Sequence, residues 1–426
     1  MTRRRVVITG MGCVTPLGHD VETVWQALLT GKSGLAKTTI FDASTFPTTF
    51  SAEVKDFQLP AELAVGGKHD HVGRHTRFAL AAALEAWRQS GLGGSGAFNP
   101  ARTGVYLGSG EGSLDIPGVT SLMVDAWKDG RFSAAKWGEL AFGRLNVYRE
   151  HEQEANMVVA HLAAKFGIRG PAFNVLTACA ASTQAIGEAT MILRRGDADA
   201  MITGGAHSMI HLYGVTGFNR LTALSTRNDD LTTASRPFDM TRDGFVLGEG
   251  ASILILEERE SALRRGAKVL AEVIGYGSSA DAFRITDQDP EGEGAAAGMR
   301  AALADADVKP EQIDYISAHG TSTPQNDSVE TKAIKVVFGP YAPKVPVSSV
   351  KGAMGHLIAA AGATELITCV LDIRDQVLPP TANLHTPDPE CDLDYVPMKA
   401  RKAKVEIVMS NSFGFGGQND TLIITR

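Results

Sequence analysis

The stretch Asn174 to Glu188 reads NVLTACAASTQAIGE, with one cysteine, Cys179, set among alanine, threonine and serine. A lone cysteine is more often a small buried hydrophobe than a nucleophile, so its surroundings must decide. FNVL should end as a strand here, and STQAIGEATMILRR should begin as a helix. A thiol at that junction faces the positive end of the helix dipole, which favours the thiolate and hence the nucleophile. Ala178, Ala180 and Ala181 leave room for a tight turn and close substrate approach.

Two histidines and a lysine occupy comparable junctions. In DYISAHGTSTPQND a strand over Tyr315 to Ser317 ends at His319, beside a hydroxyl-rich loop suited to meeting a ligand. In VPVSSVKGAMGHLIAAAGATELITCVL a strand passes through a glycine-punctuated turn into a helix with almost no charge in its first two turns. Such a helix is buried, so Lys351 and His356 stand at the mouth of the core. A lysine there needs a partner, because an unpaired buried ammonium is costly. A helix N-terminus should keep the His356 imidazole neutral and able to donate a hydrogen bond. The alternative is a snorkelling lysine and a capping histidine. SNSFGFGGQND offers free amides and close backbone approach, and Phe413 and Phe415 suggest a lid or wall rather than a plain turn.

The elements that must position these groups alternate. Strand-like runs (VVITG, VYLGS, AMITGG, SILILE, LAEVIGY, DYISA, VPVSS, TLIITR) are separated by alanine-rich helical stretches, which argues α/β layers. Two echoes point to duplication. VVITGMG (Val6 to Gly12) resembles AEVIGYG (Ala271 to Gly277), and DGFVLGEGASILIL (Asp243 to Leu256) resembles FGFGGQNDTLIIT (Phe413 to Thr425). The division falls into halves 1–257, carrying the cysteine, and 258–426, carrying the histidines. The first is longer, with its excess expected between Ser113 and Glu154. A pseudo-twofold axis would bring the two special helix N-termini together. Gly10-x-Gly12 is no dinucleotide fingerprint: Thr15 and Pro16 stand where the third glycine and helix should be, without a suitable acidic residue downstream.

Composition narrows the setting. The chain has 426 residues, 44% of them hydrophobic, and a net charge of −7, enough for a large core and unfavourable to general binding of nucleic acid or anionic membrane. No apolar run is long enough for membrane insertion, and MTRRRVVITGMGCVTPLG is broken too early by glycine and proline to read as a signal peptide. Four dispersed cysteines form no CxxC pair, so neither a metal site nor a disulfide framework is expected, and a reducing cytoplasm is the natural location.

ACAAS, AHGTSTPQND, KGAMGH, SNSFGFGGQND and SRPFDMTRDGFVLGEGA (Ser235 to Ala251), taken together over the whole chain, closely resemble the β-ketoacyl-acyl-carrier-protein synthases, most nearly the elongating type II branch. The resemblance implies the thiolase-like fold: two βαβαβαββ halves in a five-layered α-β-α-β-α homodimer. It implies decarboxylative Claisen condensation of an acyl thioester with malonyl-acyl carrier protein in fatty acid elongation. Cys179 would carry the acyl group. His319 and His356 would hold the malonyl thioester carbonyl, and Lys351, with Glu330, would organise the site. The amides of Cys179 and Phe415 would form the oxyanion hole, with Phe415 as gate and Phe413 in support. Thr286, Thr321 and Thr323 would line the pantetheine tunnel. No cofactor is implied, since phosphopantetheine arrives on the acyl carrier protein, whose docking would use basic residues such as Lys68, Arg74 and Arg220, with Asp70 weakening the patch.

Three departures bear on the acyl chain rather than on the reaction. KGAMGH stands where the family usually has KSMTGH, Glu111 replaces an aliphatic residue of the acyl pocket, and the Ser113–Glu154 segment is long. A degradative thiolase would need a second cysteine in Cys-x-Gly, which Cys369 and Cys391 do not supply. Chain-initiating synthases pair cysteine and histidine with asparagine. The remaining alternatives are a polyketide or unusual-lipid ketosynthase and a non-catalytic chain-length partner, against which Cys179 argues.

Overall fold

The first half contributes strands β1 (Val6–Val14), β2 (Thr103–Ser109), β3 (Ala172–Val175), β4 (Ala200–His207) and β5 (Gly250–Glu258). They lie side by side as β3-β2-β4-β5-β1, with β2 parallel to both neighbours and β5 antiparallel to both of its own. The second half contributes β6 (Ala271–Ala280), β7 (Tyr315–Ser317), β8 (Val347–Ser348), β9 (Ile407–Gly414) and β10 (Gln418–Thr425). Their order, β8-β7-β9-β10-β6, and their directions repeat the first pattern strand for strand. A short antiparallel pairing of Val6–Ile8 with Ala271–Val273 joins the two sets. The structure, a computed structural model, describes residues 3–94 and 96–426.

Helices complete the layers. Helix α1 (Arg74–Ser90) covers the outer face of the first sheet, and α3 (Glu293–Ala306) covers that of the second with α4 (Pro324–Phe338) beside it. Helices α2 (Ala181–Arg195) and α5 (Ala361–Asp375) lie between the sheets and touch strands of both halves. The result is the five-layered α-β-α-β-α thiolase-like fold. Strands β1 and β5 are buried throughout, as continuous apolar strands covered on both faces should be.

The first echo has a packing cause. A Cβ at Gly10 or Gly12 would sit 2.1 or 2.0 Å from a carbonyl oxygen of α1, and one at Gly275 or Gly277 would sit 2.5 or 2.2 Å from one of α3. Each Gly-x-Gly therefore lets a helix lie directly on its sheet. The second echo is half right. SILIL and TLIIT fall on the equivalent strands β5 and β10, but their Gly-Phe leads are not equivalent. Gly414 ends β9 and Phe415 opens the tight 415–417 connection to β10, whereas 208–249, which include Gly244 and Phe245, form a long excursion between β4 and β5. The extra length of the first half thus lies in two places. The other, after β2, holds the short helices Ile116–Asp125, Ala134–Arg144 and Val147–His151.

Helix α5 carries a fully buried carboxyl group, that of Asp372, which makes no hydrogen bond among the described residues. Burial raises its pKa well above the ordinary value, so the folded chain keeps the proton that the unfolded chain releases above about pH 4. The resulting penalty is absent in acid and grows as pH rises toward the folded pKa. Asp372→Ala should therefore stabilise the protein by about 1–3 kcal/mol at pH 8, with the gain shrinking toward pH 4. Thermal melts of both proteins across that range check this; a gain independent of pH would contradict it.

Candidate active site

The chain leaves β3 and turns sharply at Ala178, whose φ of +47° is unusual for a residue with a Cβ. A 3-10 turn over Ala178–Ala180 then enters α2. The second half repeats the device: Ile358 has φ +48°, and a 3-10 turn over Ile358–Ala360 enters α5. Each left-handed residue costs on the order of 1–3 kcal/mol. In this repeat Cys179 corresponds to Ala359, so one half presents a thiol where the other presents a methyl group. A Cβ at Gly414 would lie 2.8 Å from the Thr177 carbonyl, so only glycine lets the β9–β10 turn close over Cys179. The amides of Phe415 and of Cys179 itself both favour negative charge on the sulfur.

Helix placement suggested a ready thiolate, but burial wins. It pushes the Cys179 thiol up to about 11, against the opposing pull of Lys351 and the two amides. The resting group is a thiol.

His319 follows β7 and is held from behind. Its amide and that of Gly320 donate to Glu330 at 2.9 and 2.8 Å. Lys351 Nζ donates to the His319 carbonyl at 2.5 Å and lies 3.4 Å from its Nδ1. The ion-pair partner of Lys351 is Glu365 on α5. Glu330 instead holds the backbone of the histidine loop, and burial raises its carboxyl to about 7. An ammonium only donates, so His319 Nδ1 accepts and the neutral ring carries its proton on Nε2. His356 reaches the same state differently: its Nδ1 accepts from the Ile358 amide at 3.2 Å, leaving Nε2 to donate. That Nε2 is buried and has no hydrogen-bond partner among the described residues.

Burial, and then the Lys351 charge, hold both imidazoles well below their ordinary pKa. The neutral His356 expected from sequence is therefore found, but its cause is desolvation. The residue precedes α5 in an extended link whose amide donates to the Val246 carbonyl at 2.7 Å.

One ring nitrogen of each histidine and the Cys179 sulfur lie within 4.8 Å of one another. Such a trio could grip a metal ion, but the neighbouring Lys351 charge opposes a cation and the tautomers direct N–H groups forward. The three sit in a cavity of about 290 Å³ whose lining also includes Thr286, Thr321, Thr323, Phe413 and Phe415. Phe413 stands edge-on to His319, with ring centres 5.7 Å apart, and Phe245 stands edge-on to His356 at 5.3 Å.

Sequence reasoning missed Phe245 and Glu365. Glu365 had a signal: it is the only acidic residue in the run AAAGATELITCVL, 14 positions after a lysine that needed a partner. Glu111 does not line this cavity; its carboxylate lies 3.5 Å from His207 Nε2. Arg74, a suggested docking residue, is committed to the buried Glu249, with its Nε donating at 2.9 Å.

Models of the β-ketoacyl synthase N-terminal and C-terminal domains match residues 3–262 and 270–385. The chain belongs to the β-ketoacyl synthase family. It is 45% identical to a 3-oxoacyl-[acyl-carrier-protein] synthase 2 of Coxiella burnetii, over all of this chain and 99% of that one. Among solved structures, a β-ketoacyl synthase from Burkholderia phymatum superposes with a TM-score of 0.88 at 34% identity, covering 99% of each chain. A type II PKS acyl-carrier protein in complex with its ketosynthase bound to the hexaketide gives a TM-score of 0.88 at 33% identity, over all of this chain and 99% of that chain.

Within this β-ketoacyl synthase the buried thiol should show in its reactivity. Alkylation of Cys179 by iodoacetamide, followed by peptide mass, should accelerate about tenfold per pH unit from pH 7 to 10. A plateau below pH 8 would mean that the helix terminus and Lys351 outweigh burial.

Proposed function

We propose that this chain catalyses decarboxylative Claisen condensation of an acyl thioester with malonyl-acyl carrier protein, giving the β-ketoacyl-acyl carrier protein of fatty acid elongation. The observation that carries the reading is the convergence of the Cys179 sulfur and two neutral imidazoles at one cavity. Cys179 Sγ attacks the incoming acyl carbonyl, the carbon–sulfur bond to pantetheine breaks, and the thiol proton passes to the departing sulfur. The amides of Cys179 and Phe415 stabilise the transient oxyanion, and Phe415 gates the acyl path. Thr286, Thr321 and Thr323 guide the pantetheine arm.

In the second half-reaction the malonyl thioester oxygen accepts from Nε2–H of His319 and of His356. Loss of carbon dioxide leaves an enolate whose carbon attacks the acyl-Cys179 carbonyl. The carbon–sulfur bond breaks, and the released Cys179 thiolate takes a proton from water. Neutral donors suit this step better than imidazolium, which would be discharged by proton transfer to the enolate. No cofactor is required. Lys351, Glu365 and Glu330 position the histidines, and Phe413 supports His319.

The acyl carrier protein is the partner this chemistry needs, and Arg220, exposed beside the Leu221–Ala223 stretch of the cavity wall, is a candidate contact. Among the described residues no helix is long and apolar enough to cross a membrane, and we place the reaction in the cytoplasm. A homodimer is supported by apolar side chains left bare on the 113–154 segment and β3: Trp127 is 60%, Phe142 100% and Phe173 50% exposed.

Cys179→Ala should abolish acylation and lower condensation by several orders of magnitude while leaving the fold intact. His319→Ala and His356→Ala should still form some acyl-enzyme yet lose malonyl decarboxylation by about 10²-fold or more each. Intact mass and carbon dioxide release separate the two steps; normal decarboxylation by both histidine variants would refute this division. Sedimentation at micromolar concentration should give a dimer, and a monomer there would contradict the assembly.

A further inference from the structure

Two hydroxyl side chains just behind the nucleophile take no part in the chemistry described, yet they join the two halves at the site. Ser182 and Thr183 are the second and third residues of α2, and both are fully buried. Ser182 Oγ accepts from the Ala363 amide of α5 at 2.9 Å, and Thr183 Oγ1 lies 2.7 Å from Ser412 Oγ on β9. Each bond runs from the half that carries Cys179 to the half that carries the histidines.

The first bond answers a need of the helix it reaches. Helices α2 and α5 both start from an alanine, Ala180 and Ala360, and among the described residues neither has a capping side chain of its own. Ala363 is the third residue of α5, where no helical carbonyl can receive the amide. Its acceptor comes instead from the other half. The exchange is one-sided. By the correspondence of Cys179 with Ala359, Gly362 stands in α5 where Ser182 stands in α2, and a Cβ there would lie 1.9 Å from Thr183 Oγ1 and 2.8 Å from Ser412 Oγ. Gly205 passes so close on the other side that a Cβ would lie 2.6 Å from Ser182 Cβ and 2.4 Å from the Ala359 carbonyl oxygen. The two helix starts therefore meet at contact distance, and the hydroxyls fix one against the other.

Building on the condensing reaction, we propose that Ser182 and Thr183 are positioning residues, two clasps that serve different half-reactions. Ser182 holds the start of α5, whose entry turn aims the Ile358 amide at His356 Nδ1, and so sets that histidine against the Cys179 sulfur. Thr183 holds β9 two residues before Gly414, and so sets the Phe415 amide against that of Cys179. The first clasp governs where the malonyl oxygen is held, and the second governs the oxyanion hole for acyl transfer. Loss of the Ser182 hydroxyl strands the buried Ala363 amide, and loss of the Thr183 hydroxyl strands Ser412 Oγ.

The test uses the full-length protein with C4 to C10 acyl-pantetheine thioesters and malonyl-pantetheine. Intact mass follows acylation of Cys179, and carbon dioxide release from the acylated protein follows decarboxylation. Ser182→Ala should slow decarboxylation about tenfold while changing acylation less than about threefold, and Thr183→Val should do the reverse. Thr183→Ser, which keeps the hydroxyl, should restore acylation. Ser252→Ala removes another buried hydroxyl contact between the halves, 2.8 Å to Thr364 of α5, and should lower the melting temperature with both rates kept. Melting temperatures identify any variant that fails to fold. Ser412→Ala, which removes the Thr183 partner from the strand side, then decides, and it must repeat the Thr183→Val pattern. Equal loss of both half-reactions in each variant, or no change in either, would overturn the inference while leaving the condensing reaction standing. If the unaltered protein accepts no thioester on Cys179, the reaction fails and the inference with it.

Discussion

Lys351 sits inside the protein with almost no access to water, between the Glu365 carboxylate and the carbonyl and Nδ1 of His319. A charge so placed cannot be left unpaired, and breaking such a pair from one side typically costs about 3–5 kcal/mol. That demand fixes much else. It ties α5 to the loop after β7, so the central layer and the catalytic loop are held to one another. It gives His319 a donor behind the ring, which sets the tautomer, and a positive neighbour, which keeps the ring from becoming a second cation. It also opposes the rise that burial imposes on the Cys179 thiol.

Duplication supplies the frame for this arrangement. Two equivalent helices enter the central layer from two equivalent turns, and their starts meet near the pseudo-twofold axis. One turn presents a sulfur, and the other holds His356 through the Ile358 amide. The site thus draws its nucleophile from one half and its hydrogen-bond donors from the other. Neither half encloses the cavity by itself.

Much of this was legible in the residue order because the signals were local. Strand ends at Val175 and Ser317, the start of α2 and the burial of α5 follow from short patterns of apolar and small residues. Gly-x-Gly echoed because each copy must admit a helix onto a strand. What escaped were matters of three-dimensional environment. Whether Cys179 is thiol or thiolate depends on how completely water is excluded, which no neighbouring letter records. Glu330 and Glu365 each lie on a buried helix within reach of the site, and only the packing of α4 and α5 decides which meets Lys351. The second echo misled at Gly244 because a similar dipeptide arose in a loop with no counterpart in the other half.

The strained turn before Cys179 has a copy in the other half. Ile358 keeps a left-handed backbone although no nucleophile follows it; Ala359 merely fills space. The bend there aims the Ile358 amide at His356 Nδ1, so the same backbone shape presents a sulfur in one half and orients an imidazole in the other. The catalytic centre can be understood as a division of labour between twins, one skeleton put to two occupations.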